Sequence, residues 1–396
     1  MQFNLLILIF GLLSSSFAED SQILKEFSTG YNEFTSDVYK ELLKTNSGNF
    51  IVCPLSADII LALTNSGAQG QTAKELTTIL RLPENPDKVQ EMFKAISPHL
   101  QSSEKYTLSS ANKIYIKKGF EINDQYKKVA VDVFDSEMQN IDFSDNEAAA
   151  SEINRWVADK THNKIQNLIS SSMLNDDTRT VLINAIYFHG KWIHQFDTRD
   201  TLMLPFYVNS KDHVDTDMMR LTDQFEYYES SELNARFLKL DYEGGDVSMH
   251  IVLPNEREGL ADLEEKIAVA LASPNYSYEK VSVLIPKFVI ETQIKFKPIL
   301  QAIGVKSAFE DYANFRGVGA KQENLKISEV VQKAFIEVEE KGTTAAASTA
   351  VLQIQTLSII IPINPPKKFH ADHPFLFYLR LNKLGINFFV GRYKSP

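Results

Sequence analysis

Cysteine is almost absent from this sequence. Cys53 is the only one in 396 residues, so the chain cannot form an intramolecular disulfide. It lies in the apolar stretch 49–54, where a small buried side chain is favoured over a reactive nucleophile. We therefore expect stability to come from a large hydrophobic core, which a chain of this length can bury.

Long hydrophobic runs are also scarce. The apolar run 5–13 is too short for a membrane span, which needs about 20 residues to cross a hydrocarbon core of about 30 Å. Small residues and the pattern Ser16-Phe17-Ala18 follow it. This predicts a secretory signal peptide over 1–18, cleaved after Ala18, and a secreted, extracellular domain over 19–396 without a membrane partner.

Positive charge is in deficit. The chain has 41 Lys and Arg against 51 Asp and Glu, a net charge of −10, which argues against nucleic acid as a partner. Two basic doublets, Lys117-Lys118 and Lys127-Lys128, are interpreted as solvated surface in preference to a glycosaminoglycan site. We expect a monomer.

Enzyme signatures are missing as well. The sequence has no HExxH pair, G-x-S-x-G elbow, P-loop or G-x-G-x-x-G fingerprint, so we predict no enzyme activity, no metal and no cofactor. His370, Asp372 and His373 are interpreted as solvated charge before a strand, not as a metal site. A serine triad assembled from distant positions remains the one enzymatic alternative.

Hydrophobic periodicity indicates helices and strands mixed without a regular βαβ repeat, in one continuous domain of the α+β class. Helices are predicted over 23–45, from Pro54 to about Gly67, and over 147–168. Strands are predicted over 113–116, 180–188, 249–253, 281–286 and 327–338, with a closing hairpin of 374–381 and 387–391.

One segment does not resemble an ordinary loop. Residues 342–366 read GTTAAASTAVLQIQTLSIIIPINPP, twenty-five positions without Asp, Glu, Lys or Arg. No proline occurs before Pro362, so the first part could become a central strand of a sheet at little cost. A buried strand of the resting fold is the competing interpretation. The preceding strand pattern, 333–340, favours a hairpin that closes later.

Glu340, Gly342, Thr343 and the alanine run 345–347 resemble the hinge of the serpin family, where a strand ends in an acidic residue that is followed by Gly, Thr and alanines. The resemblance extends over nearly the whole mature chain, and four further stretches carry it: Asn49-Phe-Ile-Val-Cys-Pro-Leu-Ser56, Asn184-Ala-Ile-Tyr-Phe-His-Gly-Lys-Trp192, Ile285-Pro-Lys-Phe288 and Phe369-His-Ala-Asp-His-Pro-Phe-Leu-Phe377. It implies the α+β serpin fold, with three β-sheets, eight or nine helices and an exposed reactive-centre loop at about 342–366.

The resemblance also implies a mechanism. A target protease cleaves the loop, and while it is still acylated the loop enters the main sheet as a new strand and distorts the enzyme. Insertion would add roughly twenty ladder hydrogen bonds of ~0.5–1 kcal/mol each, so the uncleaved state would be metastable. The hinge residues are Glu340, Gly342, Thr343, Ala345, Ala346, Ala347 and Thr349, and those that follow Glu340 have small or apolar side chains, which suit an inhibitor.

Family spacing counted from Glu340 places the cleaved bond at Thr356–Leu357, with Leu357–Ser358 as the alternative. These residues fit elastase-like or chymotrypsin-like serine proteases, whereas the trypsin-like enzymes require Arg or Lys. A papain-like cysteine protease is an alternative target, and a non-inhibitory binding or storage serpin is an alternative function.

Two further sets of residues follow. Ser56, Asn184, Trp192 and Gln332 are assigned to the control of sheet opening, with satisfied core polar groups as the competing interpretation. Gln332 stands where the family usually has His, which argues against a histidine-based pH switch there. The only N-x-S/T sequon begins at Asn275, a candidate glycosylation site.

Overall fold

A computed structural model describes residues 22–319, 325–342 and 365–396 completely, and residues 2–21 by their backbone. The helices of this part of the chain are α1 Gln2–Leu43, α2 Pro54–Ser66, α3 Gly70–Leu80, α4 Pro86–Ile96, α5 Asp124–Phe134, α6 Asn146–Lys160, α7 Leu260–Glu265, α8 Ile267–Ala270 and α9 Phe296–Ile303. The strands are β1 Phe50–Val52, β2 Tyr106–Lys117, β3 Glu137–Ile141, β4 Thr180–Gly190, β5 Leu202–Tyr207, β6 His213–Ser230, β7 Ala235–Asp241, β8 Val247–Pro254, β9 Ser277–Pro286, β10 Phe288–Lys295, β11 Ile327–Val338, β12 Lys367–His370, β13 Phe375–Leu381 and β14 Ile386–Tyr393.

The strands form two hydrogen-bonded networks. A five-stranded sheet has the order β10-β11-β4-β2-β3, and a nine-stranded sheet has the order β1-β14-β13-β8-β7-β6-β9-β12 with β5 beside β6. The second and third of the three expected sheets are continuous with each other, because the 18-residue strand β6 runs through both. The architecture is α+β, as predicted.

A large hydrophobic core lies between these sheets and the helices. Nearly the whole of α2 is buried, from Pro54 to Thr64, because apolar residues occupy almost every face of that helix. A second buried cluster lies beneath α6, on the other face of the five-stranded sheet. The five-stranded sheet is therefore covered on both faces.

Two predicted helices differ from the observed ones. The backbone of α1 begins at Gln2, not at 23, and residues 2–21 contain no proline to interrupt it. Helix α6 ends at Lys160, eight residues before the predicted end at 168, because His162 and Asn163 adopt φ values of 51° and 61°. In the part of the chain whose side chains are described, no helix is long and apolar enough to span a membrane.

Candidate functional site

The centre of the five-stranded sheet is a parallel seam between β4 and β11. The two strands are direct neighbours, in register from Val181 opposite Glu329 to Tyr187 opposite Phe335, with an irregularity between Ile327 and Glu329. Both outer neighbours, β2 and β10, pair antiparallel to the seam strands. A strand that ran antiparallel to both β4 and β11 could therefore separate them and hydrogen-bond on both of its edges. Such an exchange is favourable because parallel pairing is slightly less stable per residue than antiparallel pairing.

A buried polar network closes the middle of this seam. Asn184 on β4 lies opposite Gln332 on β11, and the Asn184 Oδ1 atom accepts hydrogen bonds from Gln332 Nε2 and Ser56 Oγ, each 2.7 Å long. The Gln332 side chain also accepts from the Cys53 backbone N–H at 2.9 Å and donates to the Cys53 carbonyl at 2.7 Å. The network thus joins both seam strands to the first turn of α2.

Asn112 extends the network to β2 and was not recognised from the sequence. Asn184 Nδ2 donates to Asn112 Oδ1 at 2.6 Å, and the two residues are opposite each other across β2 and β4. Both asparagines are buried. Opening the seam would break the Gln332–Asn184 hydrogen bond and leave these buried groups without their present partners.

Cys53 takes part in this network through its backbone and not through its thiol. The side chain is fully buried, and burial raises the pKa of the thiol to about 11. A thiol in that environment is protonated at neutral pH and is not a nucleophile. This agrees with its interpretation as a core residue.

The hinge begins where β11 ends. Glu339 and Gly342 exchange backbone hydrogen bonds of 3.0 and 3.1 Å in a tight turn, and Gly342 also forms an antiparallel bridge to Lys191, directly after β4. Gly342 has φ of +115°, and an added Cβ would lie 2.2 Å from the carbonyl oxygen of Gly190. Glycine is therefore required by both the backbone conformation and the close approach.

Glu340 fastens this turn to the sheet end. Its carboxylate lies 2.9 Å from Lys287 Nζ and accepts a 2.8 Å hydrogen bond from Thr201 Oγ1, while its carbonyl accepts from the Phe196 N–H. Burial alone would raise the pKa of Glu340, but the hydrogen bonds from Lys287 and Thr201 outweigh it and lower the pKa below the ordinary value.

Trp192 lies in the hinge and not in the network at Asn184. Its backbone N–H donates to the Lys341 carbonyl and its indole N–H donates to the Glu339 carbonyl, while the ring stacks on Tyr242. Of the four residues assigned to sheet opening, the structure thus brings Ser56, Asn184 and Gln332 together and places Trp192 at the hinge turn.

Several predicted sites lie outside the described residues: Thr343, Ala345, Ala346, Ala347, Thr349, Thr356, Leu357 and Ser358. Asn275 is described and lies exposed just before β9. Its position leaves the sequon accessible, and its glycosylation stays a prediction.

The sequence matches the profile of the family described as Serpin (serine protease inhibitor) over residues 29–396. The chain therefore belongs to the serpin family. Antichymotrypsin-2 of Bombyx mori is 35% identical over 94% of this chain and 98% of its own length, and alaserpin of Manduca sexta is 33% identical over 99% and 100%. The crystal structure of Serpin48, a highly specific serpin of the insect Tenebrio molitor, superimposes with a TM-score of 0.87 at 40% identity, covering 94% of this chain and 98% of that one.

Membership of this family supports protease inhibition as the general function and implies a target protease as the partner.

Proposed function

We propose that this chain is a secreted suicide inhibitor of a chymotrypsin-like or elastase-like serine protease. It acts by cleavage of the loop, trapping of the acyl-enzyme and insertion of the loop into the seam between β4 and β11. It works as a monomer without cofactor or metal, after removal of residues 1–18, and Asn275 carries a glycan.

The antiparallel bridges of Gly342 are the observation that carries this proposal. At this residue the chain has already reversed direction after β11 and is paired with the ends of both seam strands. A chain that continued along the same course would run down the seam antiparallel to β4 and to β11. It would gain hydrogen bonds on both edges. The part of the loop before the proposed cleavage site, residues 343–356, is called the arm here, and it has no charge or proline that would prevent insertion.

The cleaved bond is proposed to be Thr356–Leu357, with Leu357–Ser358 as the second possibility. A panel of elastase-like, chymotrypsin-like and papain-like proteases tests the proposal by denaturing gels and mass spectrometry. We expect a complex that survives SDS and heating with a serine protease, and a released fragment that begins at Leu357. A fragment that begins at Ser358 would assign the alternative bond, and a stable complex formed only with the cysteine protease would overturn the assigned target class.

Substitutions in the arm separate an inhibitor from a non-inhibitory serpin. Ala345→Arg puts a charged side chain on an arm that must enter a sheet covered on both faces, so we expect the variant to be cleaved as a substrate without forming the complex. The matched control is Lys367→Arg, which preserves charge on β12 outside the arm and should leave complex formation intact. Loop cleavage of the unmodified chain without a complex and without a rise in melting temperature would support a binding or storage role instead.

A further inference from the structure

The chain that follows α6 crosses the outer face of the seam. After Lys160 it turns through His162 and Asn163, and Ile165 is then fully buried in the same apolar cluster as Ile183 of β4 and Val331 of β11. Any strand that entered the seam would pass directly beneath this crossing segment, residues 161–169.

The crossing segment is fixed on both sides of the seam. On the near side, Lys160 at the end of α6 lies 2.7 Å from Glu137, the first residue of β3. On the far side, Lys333 of β11 donates a 2.7 Å hydrogen bond to the carbonyl of Gln166. The contact of Lys160 is to the β2–β3–β4 half of the sheet, and the contact of Gln166 is to the β10–β11 half. Separation of the two halves must therefore strain the chain between these contacts.

Lys164 lies at the point where the two halves meet. Its ammonium group is 5.9 Å from the ring centroid of Tyr187 on β4 and 5.5 Å from that of Phe335 on β11. These two residues are opposite each other in the parallel register, with ring centroids 6.0 Å apart. Lys164 also lies 3.3 Å from the carboxylate of Glu337 on β11.

We propose that Lys164 is a positioning residue that clips the seam closed and thereby slows loop insertion. The inference rests on the proposed function. A new strand would increase the spacing of β4 and β11 from ~4.8 Å to ~9.6 Å and draw the two rings apart, so Lys164 could not keep its present position over both of them. Loss of the cation–π contact with one of the two strands is expected to change the insertion rate about fivefold, since such partly exposed interactions are worth ~1 kcal/mol.

The test uses a synthetic peptide with the sequence of residues 343–355, which can enter the seam of the intact chain without any protease. Uptake is followed as the appearance of a form with a higher melting temperature. The variants are Lys164→Met, which retains the apolar stem, and Lys164→Arg, which restores a cation. The control is Lys118→Met, which removes an exposed ion pair to Asp142 and touches neither the crossing segment nor the seam strands. Each rate is measured at the same interval below the variant's own melting temperature, so that lower stability alone does not accelerate uptake.

We expect uptake to be about fivefold faster in Lys164→Met and close to the unmodified rate in Lys164→Arg and Lys118→Met. Equal rates in Lys164→Met and the unmodified chain would overturn the clip and leave the proposed function standing. Equal acceleration by Lys118→Met would also overturn it, because the effect would then belong to the loss of any surface cation. No uptake by any variant would refute insertion itself, and the clip with it.

Discussion

Asp58 gives a prediction whose size follows from the structure. It lies in α2, two residues after Ser56, and is 1% exposed. Among the described residues neither of its carboxyl oxygens has a hydrogen-bond partner. The hydroxyl of Thr35, on α1, also has none there. Burial raises the pKa of Asp58 to about 8, and no nearby charge contributes to this shift.

The direction of the pH effect follows from this raised pKa. The folded chain retains the Asp58 proton up to about pH 8, whereas the unfolded chain loses it near pH 4. The folded state therefore binds more protons between these values, and the free energy of unfolding falls with rising pH in that window. Each pH unit within it costs about 1.4 kcal/mol, and above pH 8 the effect levels off.

Asp58→Asn removes the titration without changing the size of the side chain. Relative to the unmodified chain, we expect the variant to gain about 1–2 kcal/mol at pH 5, about 4 kcal/mol at pH 7 and about 5–6 kcal/mol at pH 9, apart from a pH-independent offset from burying the amide. At pH 7 this corresponds to a rise in melting temperature of about 5 °C for a chain of this size.

Urea and thermal unfolding of the uncleaved protein at the three pH values provide the assay. Asp159→Asn, at an exposed carboxylate near the end of α6, is the matched control and should leave the pH dependence unchanged. Burial, Arg380 and Lys239 lower the pKa of His250, but this residue is present in both proteins, so the difference between them isolates Asp58. Parallel stability curves for Asp58→Asn and the unmodified chain would refute the argument.

Three other substitutions test the hinge and the network. Glu340→Gln removes the charge paired with Lys287 and should lower stability by about 1–2 kcal/mol at low salt, an effect that must shrink in high salt. Gly342→Ala should cost about 1–3 kcal/mol in the uncleaved form, measured by thermal unfolding, because φ is positive and the Cβ has no space; an unchanged melting temperature would contradict the described turn. Gln332→Ala leaves the buried Cys53 N–H unpaired and removes the Gln332 hydrogen bonds to the Cys53 carbonyl and to Asn184, so it should cost at least about 2 kcal/mol in urea unfolding, whereas a neutral result would mean that the network does not hold the seam.

The sequence identified the elements whose patterns are local. The strand 327–338 and the helix beginning at Pro54 were predicted with bounds close to those observed, because alternating or helical apolar spacing is written in neighbouring residues. The end of α6 was missed, since Ile165 remains apolar and buried after the helix has stopped. Burial alone does not distinguish a helix from a packed loop.

The site was only partly predictable for a similar reason. Ser56, Asn184 and Gln332 were chosen by their place in family motifs, whereas Asn112 meets Asn184 only through the register of β2 with β4. No local pattern encodes that register. Asp58 did leave a signal that could have been used, since it is an acidic residue directly before an apolar run of α2.

The position of Cys53 has a practical consequence. It is the only thiol in the chain, and the backbone N–H and C=O of Cys53 both hydrogen-bond to the side chain of Gln332 in the seam. Alkylation of this thiol requires the middle of the seam to open, and no other cysteine contributes to the signal. The rate at which this thiol is alkylated would therefore measure how often the seam opens in the uncleaved protein, before any protease is added.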